Sequence, residues 1–141
     1  MFDLRTEVQM GPGQVMKAHG LAEGKAILGG RFVKFESAAA PDEELKGERI
    51  NVYGYDTAAG KFTLWGVESM NNYSYSALGD YDSTTRTFKF EGEQHQADGS
   101  AIPFRWLLQV QESGALTQKI SMKFPGAPDY AGQWPANTAW L

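Results

Sequence analysis

The stretch ERINVYGYDTAAGKFTLWGVES, residues 48–69, decides the fold. Two alternating runs flank Thr57-Ala58-Ala59-Gly60, and in a strand every second side chain shares a face. A connection this short joins antiparallel neighbours and leaves no room for a crossover. It sets Tyr55 opposite Phe62 and puts Tyr53, Tyr55, Phe62 and Leu64 on one face, with Trp65 and Val67 on the other. Asp56 opens the turn, where its carboxylate can accept from the backbone N–H groups that follow. The same solution recurs further on. Tyr81-Asp82-Ser83, then Thr87-Phe88-Lys89-Phe90 and Gly92, repeats Tyr55-Asp56-Thr57, then Lys61-Phe62-Thr63-Leu64 and Gly66.

Working outward, alternation dominates the chain. Phe2, Leu4, Thr6, Val8 and Met10 interleave with polar residues up to Gly11-Pro12-Gly13. Further strands are predicted over residues 15–28, 31–37, 48–56, 61–69, 72–82, 87–93, 102–112 and 116–124. Residues 38–46 form a loop with at most one helical turn. No segment of helical period lies between strands, so βαβ folds are excluded. Residues 102–112 are the one run where a helix competes, and Pro103 with the alternation of Phe104, Trp106, Leu108 and Val110 argues for a strand. An open sheet would need helices to cover it, whereas closure hides one face and removes the edges. The expectation is an all-β, up-and-down antiparallel barrel of about nine or ten strands over residues 1–124. A tail, residues 125–141, carries Pro125, Pro128, Pro135, Trp134 and Trp140, and is expected to pack on the barrel or on a partner.

Composition narrows function by exclusion. The chain of 141 residues has 13 Lys and Arg against 17 Asp and Glu, without basic runs, so nucleic-acid binding is not expected. The absence of Cys rules out disulfides, cysteine-based zinc sites and a cysteine nucleophile. No apolar run is long enough to span a bilayer as a helix, so membrane insertion is not expected. Met1-Phe2-Asp3-Leu4-Arg5 does not look like a secretory leader, and together with the lack of Cys this points to the cytoplasm. Phosphate-loop, dinucleotide and nucleophile-elbow motifs are missing. His19 and His95 stand outside any metal-spaced cluster, so neither a metal nor another cofactor is predicted. Haem is the one alternative, with His95 near a barrel mouth as its axial ligand.

Parity assigns the interior. Phe104, Trp106, Leu108 and Val110 face in with Leu116, Ile120 and Met122; so do Phe88, Phe90, Tyr53, Tyr55, Phe62, Leu64, Tyr75 and Tyr81. Arg49, Asn51, Glu68 and Gln118 share that parity, and buried polar groups need partners. Two accounts stay open: these groups lie solvated at a rim, or they form a polar patch in an apolar pocket. Inward Ala18, Gly20, Ala22, Gly66, Ala77, Gly79 and Gly92 either leave volume or allow tighter coiling. The ligand set expected from these faces is Arg49, Asn51, Tyr53, Tyr75, Phe88, Phe90, Trp106, Gln118 and Met122, around a small apolar or aromatic molecule. The alternative is a barrel enzyme of cyclase, isomerase or lyase type. There Glu68 would be the general acid or base, and Tyr73 or Tyr53 would donate to a developing oxyanion. A third class is an interaction protein, with Trp65 and Val67 forming an outer homodimer patch.

Several short motifs add a resemblance: Lys25-Ala26-Ile27-Leu28-Gly29-Gly30-Arg31-Phe32, Tyr53-Gly54-Tyr55-Asp56 with Gly60-Lys61-Phe62, Val67-Glu68-Ser69-Met70, Gly79-Asp80-Tyr81-Asp82 and Phe90-Glu91-Gly92-Glu93. From about Met16 to Gly92 the chain resembles an uncharacterised bacterial family, a domain of unknown function with a calycin-like (lipocalin-like) barrel. The resemblance implies a barrel for small ligands and brings no catalytic residues with it. The family usually has Trp aligned with Gly66 and Asp aligned with Glu68, and the tail after Phe124 has no counterpart in it.

Overall fold

The computed structural model describes residues 1–11, 14–40 and 47–123. The expected tail, with Trp134 and Trp140, lies outside the described residues, as does Phe124. Nine strands follow in order: β1 (Phe2–Gly11), β2 (Gln14–Ile27), β3 (Phe32–Ala39), β4 (Glu48–Asp56), β5 (Lys61–Glu68), β6 (Tyr75–Asp82), β7 (Thr87–His95), β8 (Ala101–Val110) and β9 (Leu116–Met122). Each pairs with the next, and β9 returns to β1 to close the barrel. No helix among the described residues is long and apolar enough to cross a membrane.

The expected antiparallel barrel needs one correction. Nine up-and-down strands are an odd number, so the first and last run the same way and must close in parallel. The β1–β9 seam is parallel, with Leu4 beside Leu116, Thr6 beside Gln118 and Val8 beside Ile120. The other eight pairings are antiparallel. The repeated hairpins have the expected chemistry. Asp56 Oδ1 accepts from the N–H groups of Ala58 (2.9 Å) and Ala59 (3.1 Å), and Asp82 Oδ1 from those of Thr84 (2.9 Å) and Thr85 (3.4 Å). The β4–β5 register places Tyr55 opposite Phe62 and Arg49 opposite Glu68.

The two halves of the interior are filled differently. Towards the β4–β5 and β6–β7 turns, rings follow one another across the barrel. Phe2 meets Phe35 at 5.9 Å between centroids, Phe35 meets Tyr53 at 5.7 Å and Tyr53 meets Phe90 at 5.8 Å. Phe88 continues the chain, 6.3 Å from Phe90 and 5.2 Å from Phe62. Offset and edge-on contacts at these spacings are favourable for aromatic quadrupoles. Tyr55 and Tyr81 were expected inside but are 51% and 42% exposed. They occupy the last inward-facing rungs before their turns, where the inner face runs out of barrel and meets solvent. Leu107 and Ser121 depart the other way, since both have outward parity and both are buried.

The inward small residues serve both expected purposes. Ala18 lines open volume in the other half of the barrel. At Gly92, by contrast, a β-carbon would lie 2.1 Å from the Ser76 carbonyl oxygen, so only glycine lets β6 and β7 coil this closely. Phe90 is among the largest fully buried side chains and joins the two arms of the ring chain. Phe90→Ala should lower the unfolding free energy by about 3–5 kcal/mol in urea titration. Tyr81→Ala, at the exposed end of the same chain, should cost only about 1 kcal/mol.

Candidate functional site

The half of the barrel away from the aromatic plug holds a cavity of about 360 Å³. That volume lies within the range typical of small-molecule pockets. Its mouth is at the end bearing the β3–β4, β5–β6 and β7–β8 connections, which contribute Gly47, Met70, Asn71, Tyr73 and Gln96 to the lining. Leu4, Val8, Ile102, Phe104, Trp106 and Ile120 form much of its apolar wall.

A polar cluster stands on the β4–β5–β6 side. Arg49 and Glu68 face each other across the β4–β5 ladder and form an ion pair, Nη2 to Oε2, at 2.7 Å. Both side chains are only 18% exposed. The other carboxylate oxygen, Oε1, accepts from Asn71 Nδ2 at 2.6 Å. The Arg49 guanidinium carbon lies 5.1 Å from the Trp106 ring centroid and 5.9 Å from that of Tyr75. Tyr75 in turn stacks on Trp106 at 5.5 Å. The cation is thus held by ring faces on one side and by a carboxylate on the other. Two buried donors in this cluster, Arg49 Nε and Trp106 Nε1, have no acceptor among the described residues.

Behind the cluster lies a second layer. The Tyr75 hydroxyl donates to Asn51 Oδ1, and Asn51 Nδ2 donates to Tyr53 Oη at 3.4 Å. Gly66 makes the first of these bonds geometrically possible. It separates Asn51 from Tyr75 in the cross-strand register, and the two side chains meet above it. A β-carbon there would lie 2.4 Å from Asn51 Oδ1 and from Tyr75 Cζ. The position at which the resembling family usually has Trp therefore has no space for any side chain here. Burial raises the Tyr75 phenol well above its ordinary value, the Glu68 carboxylate adds to the rise, and Arg49 opposes it. Burial likewise raises Tyr53, followed by the proximity of Tyr75. Both phenols remain protonated donors across the physiological range.

Of the residues singled out from sequence, Arg49, Glu68, Tyr73, Tyr75, Trp106, Gln118 and Met122 line the cavity. Asn51 and Tyr53 stand behind Tyr75 in the hydrogen-bond chain, and Phe88 and Phe90 belong to the plug; none of these four lines the cavity. Tyr73 precedes β6, which starts at Tyr75 rather than at the expected residue 72. His19 and His95 are exposed, and His95 has outward parity on β7, so it does not reach the cavity as an axial ligand would have to. Among the described residues no group of His, Asp and Glu could hold a metal ion. Sequence reasoning missed Asn71, which lies in a connection where parity has no meaning. It also missed Thr6, which gains its place only through closure of β1 on β9.

Two outcomes follow from this layer. Gly66→Ala must push the Tyr75 ring off Trp106 or shift the strand, and should cost about 1–3 kcal/mol of stability in urea titration. The raised phenols favour the protonated folded form. Their contribution is therefore complete below the ordinary phenol value of 10.0 and is lost as pH rises above it, while the unfolded chain ionises. Unfolding free energy should fall above that pH, and less steeply in a Tyr53→Phe/Tyr75→Phe double variant referred to its own neutral-pH value.

No curated protein and no solved structure matches the chain. A family model does match, that of proteins of unknown function (DUF1579), over residues 2–134. The match runs well past Gly92, where the motif resemblance stopped, and past Phe124, beyond which no counterpart was expected. With nearly its whole length covered, the chain belongs to the DUF1579 family of proteins of unknown function.

Proposed function

We propose that this barrel binds a small, largely apolar or aromatic molecule in its open half, in the manner of the calycin-like barrels it resembles. The observation that carries this is the cavity of about 360 Å³, walled by Trp106, Phe104 and aliphatic side chains and bordered by a few polar groups. Pockets that bury an apolar body and fix it with a few polar groups have this composition. The enzyme alternative has less support. Glu68 already accepts from Arg49 on one carboxylate oxygen and from Asn71 on the other, so both oxygens are engaged within the wall.

The test uses N-phenyl-1-naphthylamine, an uncharged probe whose fluorescence rises in apolar surroundings. Saturable one-to-one binding is expected, and Ala18→Phe, which projects a ring into the cavity, should weaken it at least about tenfold without unfolding the protein. No saturable binding, or binding indifferent to Ala18→Phe in a folded variant, overturns the proposal.

A second role rests on a different surface. Trp65 is 45% exposed on the outer wall, beside Val52 across the β4–β5 ladder, with Ile50 and Val67 paired on the next outward rung and Leu78 exposed on β6. Contiguous exposed apolar residues of this kind suit a homodimer contact. Trp65→Asp should then convert a dimer to monomers in sedimentation; a monomeric parent protein rules the contact out.

A further inference from the structure

The cavity has a second polar feature, across the barrel from Arg49 and Glu68. On the parallel seam Thr6 and Gln118 lie side by side, both buried, with inward Leu4 and Val8 on one strand and Leu116 and Ile120 on the other. Gln118 Nε2 donates to Thr6 Oγ1 at 3.3 Å. That is the one hydrogen bond the Gln118 amide makes among the described residues, although a primary amide offers two N–H donors and a carbonyl. Gln118 is 3% exposed and lines the cavity. Packing alone does not require this pair, because replacing both partners of a buried hydrogen bond by apolar side chains of the same shape can be nearly neutral. The rest of the amide has no partner among the described residues, and Gln118 lines the cavity, so a group entering the cavity can bond it.

The charges of the lining restrict what that partner is. Among the described residues its inward charged groups are Arg49 and Glu68, one of each sign, while Glu48 at the mouth is exposed and has outward parity on β4. The guanidinium is already paired with Glu68. An anion entering the cavity would find its natural counter-ion already engaged by a carboxylate, with no surplus of positive charge to receive it. A cation would find the Trp106 and Tyr75 faces taken by Arg49.

We infer that Thr6 and Gln118 form the polar anchor of the cavity. The ligand they select is an uncharged, mainly apolar molecule with a carbonyl, amide or hydroxyl group that bonds the free part of the Gln118 amide. This rests on the proposal that the cavity holds a ligand at all. Arg49 and Glu68 then set the electrostatics of the mouth, and the discriminating hydrogen bond is made on the opposite wall. A site built to hydrogen-bond a ligand group discriminates against the analogue that lacks it, because its own polar atoms are left unpaired.

Three probes of one shape test this by displacement of N-phenyl-1-naphthylamine: 2-ethylnaphthalene, 2-acetylnaphthalene and 2-naphthoate. The ketone should bind roughly three- to tenfold more tightly than the hydrocarbon, as one neutral hydrogen bond allows, and the carboxylate should bind most weakly. In Gln118→Leu the advantage of the ketone should vanish while the hydrocarbon binds at least as well as before. The double variant Thr6→Val/Gln118→Leu keeps the wall fully apolar and should show the same loss, which covers the case in which the single variant does not fold. Equal binding of ketone and hydrocarbon to the parent protein overturns the inference, as does tightest binding of the carboxylate or a ketone preference that survives in the variants. In each of those outcomes the binding function itself stands. If neither N-phenyl-1-naphthylamine nor any of the three binds, it is the binding function that fails.

Discussion

Closure of β9 onto β1 is the constraint on which the rest of the molecule depends. Nine strands joined by hairpins give a sheet with two free edges, and among the described residues no helix covers its apolar face. Because the number is odd, the seam is parallel, and parallel pairing is slightly weaker per residue than antiparallel. Side chains compensate. Leu4, Val8, Leu116 and Ile120 bury themselves along the seam and join the cluster that includes Phe104, Trp106 and Leu108. The cavity exists only because this seam completes its wall, as Leu4, Thr6 and Val8 on one side and Gln118 and Ile120 on the other all line it.

The interior is divided along its length. One half is stopped by the ring chain from Phe2 to Phe62, and the other is left open. The dividing layer is the hydrogen-bond chain from Tyr53 through Asn51 to Tyr75, whose last ring faces the cavity while its first packs into the plug. It consists of polar groups that satisfy one another between two apolar regions, which favours one arrangement of the side chains around it over many similar ones. Gly66 belongs to this layer as much as the three residues that bond, since it provides the space in which they meet.

Much of this was legible in the sequence because period-two alternation and short polar turns are local signals. The strand over residues 48–56 was recovered at both ends, and the Asp56 and Asp82 turns have the expected bonds. Register followed from turn length, so the meeting of Arg49 and Glu68 was accessible too. What escaped was not local. Parity tells which face a residue is on and not how deep along the barrel it lies, so Tyr55 and Tyr81 were placed inside although they stand at the end. The same limit put Phe88 and Phe90 in the ligand set, whereas they fill the plug. The bond between Asn51 and Tyr75 needs three strands to be placed at once, and the partner of Gln118 needs the two ends of the sheet to meet. Asn71 acts from a connection, where no period applies.

The odd strand count also fixes where the barrel's two ends of chain emerge. In an even-numbered meander the first strand enters and the last leaves at the same rim. Here β1 starts beside the plug, and β9 runs parallel to it and ends at Met122, a residue of the cavity lining. The molecule is therefore polar in the sense of a cup with its handle at the base. A tether or fusion partner joined ahead of Phe2 is attached at the closed end and leaves the opening clear. Anything carried beyond β9 begins its path at the rim where the cavity opens.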